Sequence, residues 1–193
     1  MKYAVAIDIG GTNTRVALVD EEYKIEERAQ FSTDADNPDV TLFKIKQAIE
    51  SFDKEIVGAG MSCPGPLDLI EGKILTTPNL HGKWHGLCIT KELENLIHKP
   101  VYLENDANLA ALAEAIIGEG KEYNIVQYLT VSTGLGAGLV INKKVFQGAH
   151  GFANEVANVC LWNNGPSHGS IYPGGEKLSV VELPLSNVQK KQA

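Results

Sequence analysis

The chain has 193 residues, 44% of them hydrophobic and 21% charged, with a formal net charge of −7. That composition suits a globular protein with room for one good-sized domain or two small ones. The acidic balance and the lack of a basic run argue against a nucleic-acid binder, and no run of about 18 apolar residues is present to span a membrane.

The opening "MKYAVAIDIGG" has too short an apolar part, interrupted by Asp8, for a signal peptide. "YAVAIDIG", "TRVALVD" and "YKIEERAQF" predict consecutive antiparallel strands with a hairpin at Gly10-Gly11. Asn37-Pro38 then opens a helix whose Leu42, Ile45, Ile49 and Phe52 fall on one apolar face. "EIVGAGMS" predicts a buried strand, stopped by the prolines of "CPGPLD", and "DLIEGKIL" a small hairpin turning on Glu71-Gly72. "PNLHGKWHG" predicts a loop, with Trp84 as a lid over apolar surface, and "ITKELENLIH" a helix. "VYLENDANLAALAE" begins as a strand and continues as a helix, and "NIVQYLTVSTGLGAGLVINKKVFQG" finishes as two strands hinged on glycines. The fold class is therefore α/β, with an antiparallel opening on a sheet that later becomes mixed. Cys63, Cys88 and Cys160, odd in number and far apart, predict reduced thiols in a cytoplasmic protein.

Three neighbouring polar residues, Glu104, Asn105 and Asp106, stand at a strand-to-helix junction, where α/β folds place ligands. Either a ligand meets them or one of Asn105 and Asp106 caps the helix. Two glycine-rich turns weigh on that choice. In "DIGGTNTR" successive backbone N–H groups cradle an anion, Thr12 and Thr14 add hydroxyls, and Asp8 suits a magnesium ion held through water. "STGLGAG", from Ser132 to Gly138, has the same character. Neither is a Walker loop, and Leu139 breaks dinucleotide spacing in the second. His81 and His85 are four apart, but in a glycine-broken loop that makes a poor metal site.

"AIDIGGTNTRVALVD", "SCPGPLD", "PNLHGKW", "ENDANLAALAE" and "STGLGAGLVINKKVFQGAHGFANE" resemble, in order and spacing, the motifs of the ROK family of sugar kinases and repressors, which includes bacterial glucokinases. The resemblance covers about residues 3 to 175. It implies an actin-like ATPase (ribonuclease H-like) pair of α/β domains, here 1–106 and an incomplete 107–178, followed by an atypical tail, 179–193. Carried over, it makes Asp106 the general base that takes the proton of a sugar hydroxyl as that oxygen attacks the γ-phosphate. Asn79, Asn105 and Glu155 would bind the sugar. Asp8, Gly10, Gly11 and Thr12, with Thr133, Gly134, Gly136 and Gly138, would serve the ATP phosphates. Glu104 reads as structural.

Two departures accompany the matches. Where zinc-bearing members carry Gly-His and a cysteine cluster, this chain has Ala157-Asn158 and "SHGSIYPGG", so no structural zinc is expected. Family kinases usually continue well beyond this chain, and "EKLSVVELPLSNVQKKQA" replaces the helices that hold adenosine. "SVVELPL" is encodable by codons that read Cys-Ser-Gly-Thr-Ala-Ile in another frame, so the last fifteen or so residues are read as the out-of-frame end of a longer kinase. The implied activity is Mg-ATP-dependent phosphorylation of a hexose or amino-hexose. A non-catalytic sugar sensor or repressor relative is the alternative, disfavoured because the chain begins at the first strand without a preceding helix-turn-helix. An acetate-kinase or chaperone type is disfavoured because the Asn-Asp pair suits a polyhydroxyl acceptor. The implied partners are a sugar and ATP, with room for a homodimer, and neither nucleic acid nor membrane.

Overall fold

The computed structural model describes residues 1–77, 79–131, 135–149, 151 and 153–156. It divides into two compact units, Met1–Leu109 and Ala110–Ala193. The first is built on a five-stranded sheet of order β3-β2-β1-β4-β7, with β1 Tyr3–Ile9, β2 Asn13–Asp20, β3 Ile25–Ser32, β4 Ile56–Cys63 and β7 Val101–Asn105. β1, β2 and β3 run antiparallel, whereas β4 and β7 add in parallel, so the sheet is mixed as the sequence predicts.

Each parallel addition needs a crossover, and α1 (Pro38–Ser51) and α2 (Ile89–Ile97) supply them. Asn37 caps α1 by accepting from the Asp39 backbone N–H, and Pro38 occupies the first turn, where its missing N–H costs nothing. Leu42, Ile45, Ile49 and Phe52 all enter the core with Val5, Ile7, Ile9, Met61, Leu93 and Leu103. β3 is an edge strand, exposed over most of its length and rich in charged side chains, which discourages pairing with other chains.

Between β4 and α2 lies the small hairpin of β5 (Leu67–Asp68) and β6 (Lys73–Ile74), with Gly72 at φ +66°. A 3₁₀ turn over Gly82–Trp84 follows. Trp84 is not a lid. It is fully buried in the core, and its indole N–H donates to the Asp34 carbonyl at 2.9 Å. A loop carrying a large aromatic with a satisfied N–H closes the core as well as a helix would. His85 contacts the Leu80 carbonyl through Nε2 at 2.8 Å, and no metal-type cluster of His, Cys, Asp and Glu occurs among the described residues.

The second unit holds an antiparallel sheet of order β10-β9-β8, formed by β8 (Ile125–Val131), β9 (Leu135–Ile141) and β10 (Lys144–Val145). The sequence reading counts two strands here. The third arises because Asn142 and Lys143 both take positive φ and turn the chain as a tight hairpin without glycine. α3 (Asp106–Ile116) lays Ala111 and Ala115 against Val140 of β9. Lys143 Nζ donates to the carbonyls of Ala115 (2.8 Å) and Tyr123 (3.0 Å), placing a cation at the carboxyl end of α3 as the helix dipole favours. No helix of the described residues is long and apolar enough to cross a membrane, which says nothing of β-barrels.

Candidate active site

The carboxyl ends of β1, β4 and β7 lie side by side, because Asp8 pairs with Ser62 and Cys63 with Asn105 in the two parallel ladders. On that rim the polar trio of the first unit divides its labour. Glu104 Oε1 accepts from the Asn105 N–H (2.9 Å) and from Asn108 Nδ2 (3.0 Å). Asn105 Oδ1 accepts from the N–H groups of Ala107 (2.9 Å) and Asn108 (3.3 Å), the pattern of a helix N-cap. Capping thus occupies the oxygen of Asn105, and its Nδ2 makes no hydrogen bond among the described residues. Asp106 is exposed; among the described residues its Oδ1 accepts only from the Ala107 N–H, at 2.8 Å. Its charge sits at the amino end of α3, which the helix dipole favours.

The first glycine turn is closed by Gly10 N–H donating to the Asn13 carbonyl at 2.9 Å. A Cβ on Gly11 would lie 2.4 Å from Asn79 Cβ, so the absence of a side chain at 11 lets the Asn79 loop close onto the turn. Thr14 does not add a hydroxyl for a ligand: it is fully buried, and its Oγ1 bonds the Thr33 hydroxyl at 2.8 Å. Thr33 in turn donates to the Gly10 carbonyl at 2.7 Å, so this pair braces the turn from below. Thr12 is exposed, and its carbonyl accepts from the Thr33 N–H at 3.0 Å.

Asp8 is held at both oxygens, by the Ser62 hydroxyl (2.7 Å) and by Arg15 (3.0 Å). Neither partner is evident from motif spacing; the signal lies in strand register, which sets positions 15 and 62 on either side of 8. Asn108, one helical turn beyond Glu104 and buried, carries no motif signal either; its amide fixes Glu104.

Cys63 lies beneath this rim. Burial first, then the carboxylates of Asp106 and Asp8, push its thiol up to about 12, so the same sulfur senses both acids. A thiol raised from its ordinary 9.0 keeps its proton in the folded chain while the unfolded chain loses it. The resulting stability is whole below pH ~9 and declines as pH rises toward 12. Between pH 9 and 10 the wild type should lose about 1 kcal/mol relative to Cys63→Ala, read as the difference between their urea midpoints. Parallel curves for the two proteins would disprove the assignment.

Of the second-unit candidates, Gly136 and Gly138 are strand residues of β9, opposite Thr130 and Tyr128, rather than turn residues. Glu155 is exposed, next to Asn154 at φ +65°. Thr133 and Gly134, the zinc-cluster position and the C-terminal tail lie outside the described residues.

Residues 4–169 match the ROK family. The chain belongs to that family. The glucokinase of Thermotoga maritima is 33% identical over 165 residues, 84% of this chain and 52% of the relative. The xylose repressor of Bacillus subtilis is 29% identical over 171 residues, 85% of this chain and 44% of the relative. Among solved structures, the ROK hexokinase from Thermus thermophilus superposes with TM-score 0.79 at 32% identity, covering 86% of this chain and 56% of that one. A ROK glucokinase from Streptomyces griseus, in complex with glucose and AMPPNP, gives TM-score 0.73 at 29% identity, covering 84% of this chain and 52% of that one. The fold is that of the actin-like ATPases, of which this ROK chain spans about half the length of the relatives it matches.

Proposed function

We propose that the chain is a ROK-type sugar kinase, or the amino-terminal part of one, transferring a phosphoryl group from ATP to a hydroxyl of a hexose or amino-hexose in the cytoplasm. The observation that carries this reading is the division of roles at the junction of β7 and α3. Glu104 and the oxygen of Asn105 serve the fold, whereas the Asp106 carboxylate is exposed beside an amide that has a donor to spare. An amide that orients a hydroxyl beside a carboxylate that takes its proton is what phosphoryl transfer to a sugar asks of a protein.

In this mechanism Asn105 Nδ2 and the Asn79 amide donate to or accept from neighbouring sugar hydroxyls, with Glu155 as a further acceptor. Asp106 accepts the proton of the attacking hydroxyl. The Gly10-Gly11 turn offers backbone N–H groups to the phosphates, assisted by Thr12, with Thr133, Gly134, Gly136 and Gly138 assigned to the same nucleotide. The residues fit a magnesium ion of a particular kind. No group of three or more His, Cys, Asp or Glu side chains surrounds Asp8 among the described residues, so it suits a cation held mainly by phosphates and water, as magnesium commonly is. Magnesium would supply charge neutralisation on the phosphates, with Asp8 contacting its water shell.

The similarity to a xylose repressor favours one alternative, a sugar-binding protein without phosphoryl transfer. A thermal-shift panel of hexoses and amino-hexoses tests what the two readings share. A sugar at about 100 times its Kd should add roughly 2.7 kcal/mol of stability, and Glu155→Ala should abolish the shift. If no sugar moves the transition, both readings fail.

A further inference from the structure

Arg15, Asp8 and Ser62 form a row across three adjacent strands, β2, β1 and β4, one register step from the Ile9–Thr14 pair that closes the glycine turn. The two partners of the carboxylate differ in kind. Ser62 is 7% exposed, and its hydroxyl fixes Oδ1 at 2.7 Å. Arg15 reaches Oδ2 at 3.0 Å from outside, with side-chain exposures of 61% for Arg15 and 48% for Asp8. A buried hydroxyl orients the carboxylate permanently, whereas a solvent-exposed ion pair is weak and readily exchanged. The guanidinium fork is also better matched to phosphate oxygens than to one carboxylate oxygen.

We propose that Arg15 is an exchangeable counter-ion of Asp8: it holds the carboxylate while no ligand is bound and passes to the incoming polyphosphate when a hydrated divalent cation takes its place on Oδ2. This rests on the reading that phosphates bind at the first glycine turn. Arg15 is in that sense a positioning residue that couples cation to phosphate. Without the cation Arg15 stays on Asp8, so metal-free polyphosphate gains little from it, whereas the magnesium complex gains the guanidinium that the cation releases.

The test uses inorganic tripolyphosphate, which needs no adenine pocket, titrated calorimetrically into the full chain with Mg²⁺ and again with EDTA. Arg15→Ala should lower the ratio of magnesium-form to metal-free affinity by about fivefold, the upper end of what an exposed ion pair contributes. Arg15→Lys should restore part of the magnesium-form binding, and it guards against a folding defect in the alanine variant. A ratio unchanged within about twofold, as a merely structural ion pair would give, overturns the exchange, as does failure of tripolyphosphate to bind the wild type in either form. Sugar-induced stabilisation, measured on the same wild-type sample, separates the two ideas. Its absence sinks the kinase reading without bearing on the ratio, and an unchanged ratio sinks the exchange while leaving the sugar site standing.

Discussion

Asp106→Asn should lower sugar phosphorylation by about 10²–10⁴-fold, the contribution of a positioned general base, while leaving the transition midpoint nearly unchanged. The contrast follows from what the side chain touches. Asp106 is exposed and, among the described residues, accepts a single hydrogen bond, from the N–H of its own neighbour Ala107, and an asparagine oxygen can accept the same bond. Asn105 accepts from that N–H as well, so the first turn of α3 stays capped when the charge is removed. Removing the charge at the amino end of α3 costs on the order of 0.5 kcal/mol, which is small beside a rate effect of several kcal/mol. The measurement is ADP release in the presence of the sugar that stabilises the chain, set beside that stabilisation itself. Retained sugar binding with lost turnover is the expected pair. Equal turnover by Asp106→Asn and wild type removes Asp106 from the base role. A wild type that binds sugar and releases no ADP favours the sensor over the kinase.

Much of the fold was legible because local rules and tertiary structure agree. Asn37-Pro38 carries its helix start in two residues, and the apolar spacing from Leu42 to Phe52 allowed only one buried face. The candidate site was legible in its residue types but not in which of their atoms the fold uses. A row reading Glu-Asn-Asp cannot disclose which oxygen is used by backbone N–H groups. Here the capping reading is met by the Asn105 oxygen, and its nitrogen remains for the ligand proposed above. Thr12 and Thr14 look equivalent in "GGTNT", yet strand alternation sends Thr14 inward to Thr33 and leaves Thr12 outside. The Ser62 and Arg15 contacts to Asp8 depend on cross-strand register, which has no trace in the spacing of either residue from its own motif. Trp84 misled for a related reason: polar, glycine-rich neighbours suggest a surface loop, but the Asp34 carbonyl that satisfies its indole is fifty positions away.

Gly11→Ala should reach from the first glycine turn into the proposed sugar half of the site. A Cβ at position 11 would sit 2.4 Å from Asn79 Cβ and 3.2 Å from the Asn79 carbonyl oxygen. The first distance is well inside the separation at which carbon atoms attract, and the obstacle is the root of a side chain rather than a flexible tip. Either the turn shifts, against the Gly10–Asn13 bond and the Thr33 brace beneath it, or the Asn79 loop moves outward. Overpacking of this kind costs about 1–3 kcal/mol, and the upper end is expected because both sides are backbone-anchored. Displacing the Asn79 amide by even a fraction of an ångström should then weaken sugar binding by roughly tenfold, the value of one hydrogen bond to a ligand. Asn79→Gly on top of Gly11→Ala relieves the clash without restoring the amide. The double variant should therefore regain stability toward wild type while sugar affinity stays low. If Gly11→Ala alone keeps full stability and full sugar affinity, the approach of the Asn79 loop is not what position 11 controls. If the double variant regains sugar affinity along with stability, Asn79 is no sugar ligand and only the shape of the turn mattered.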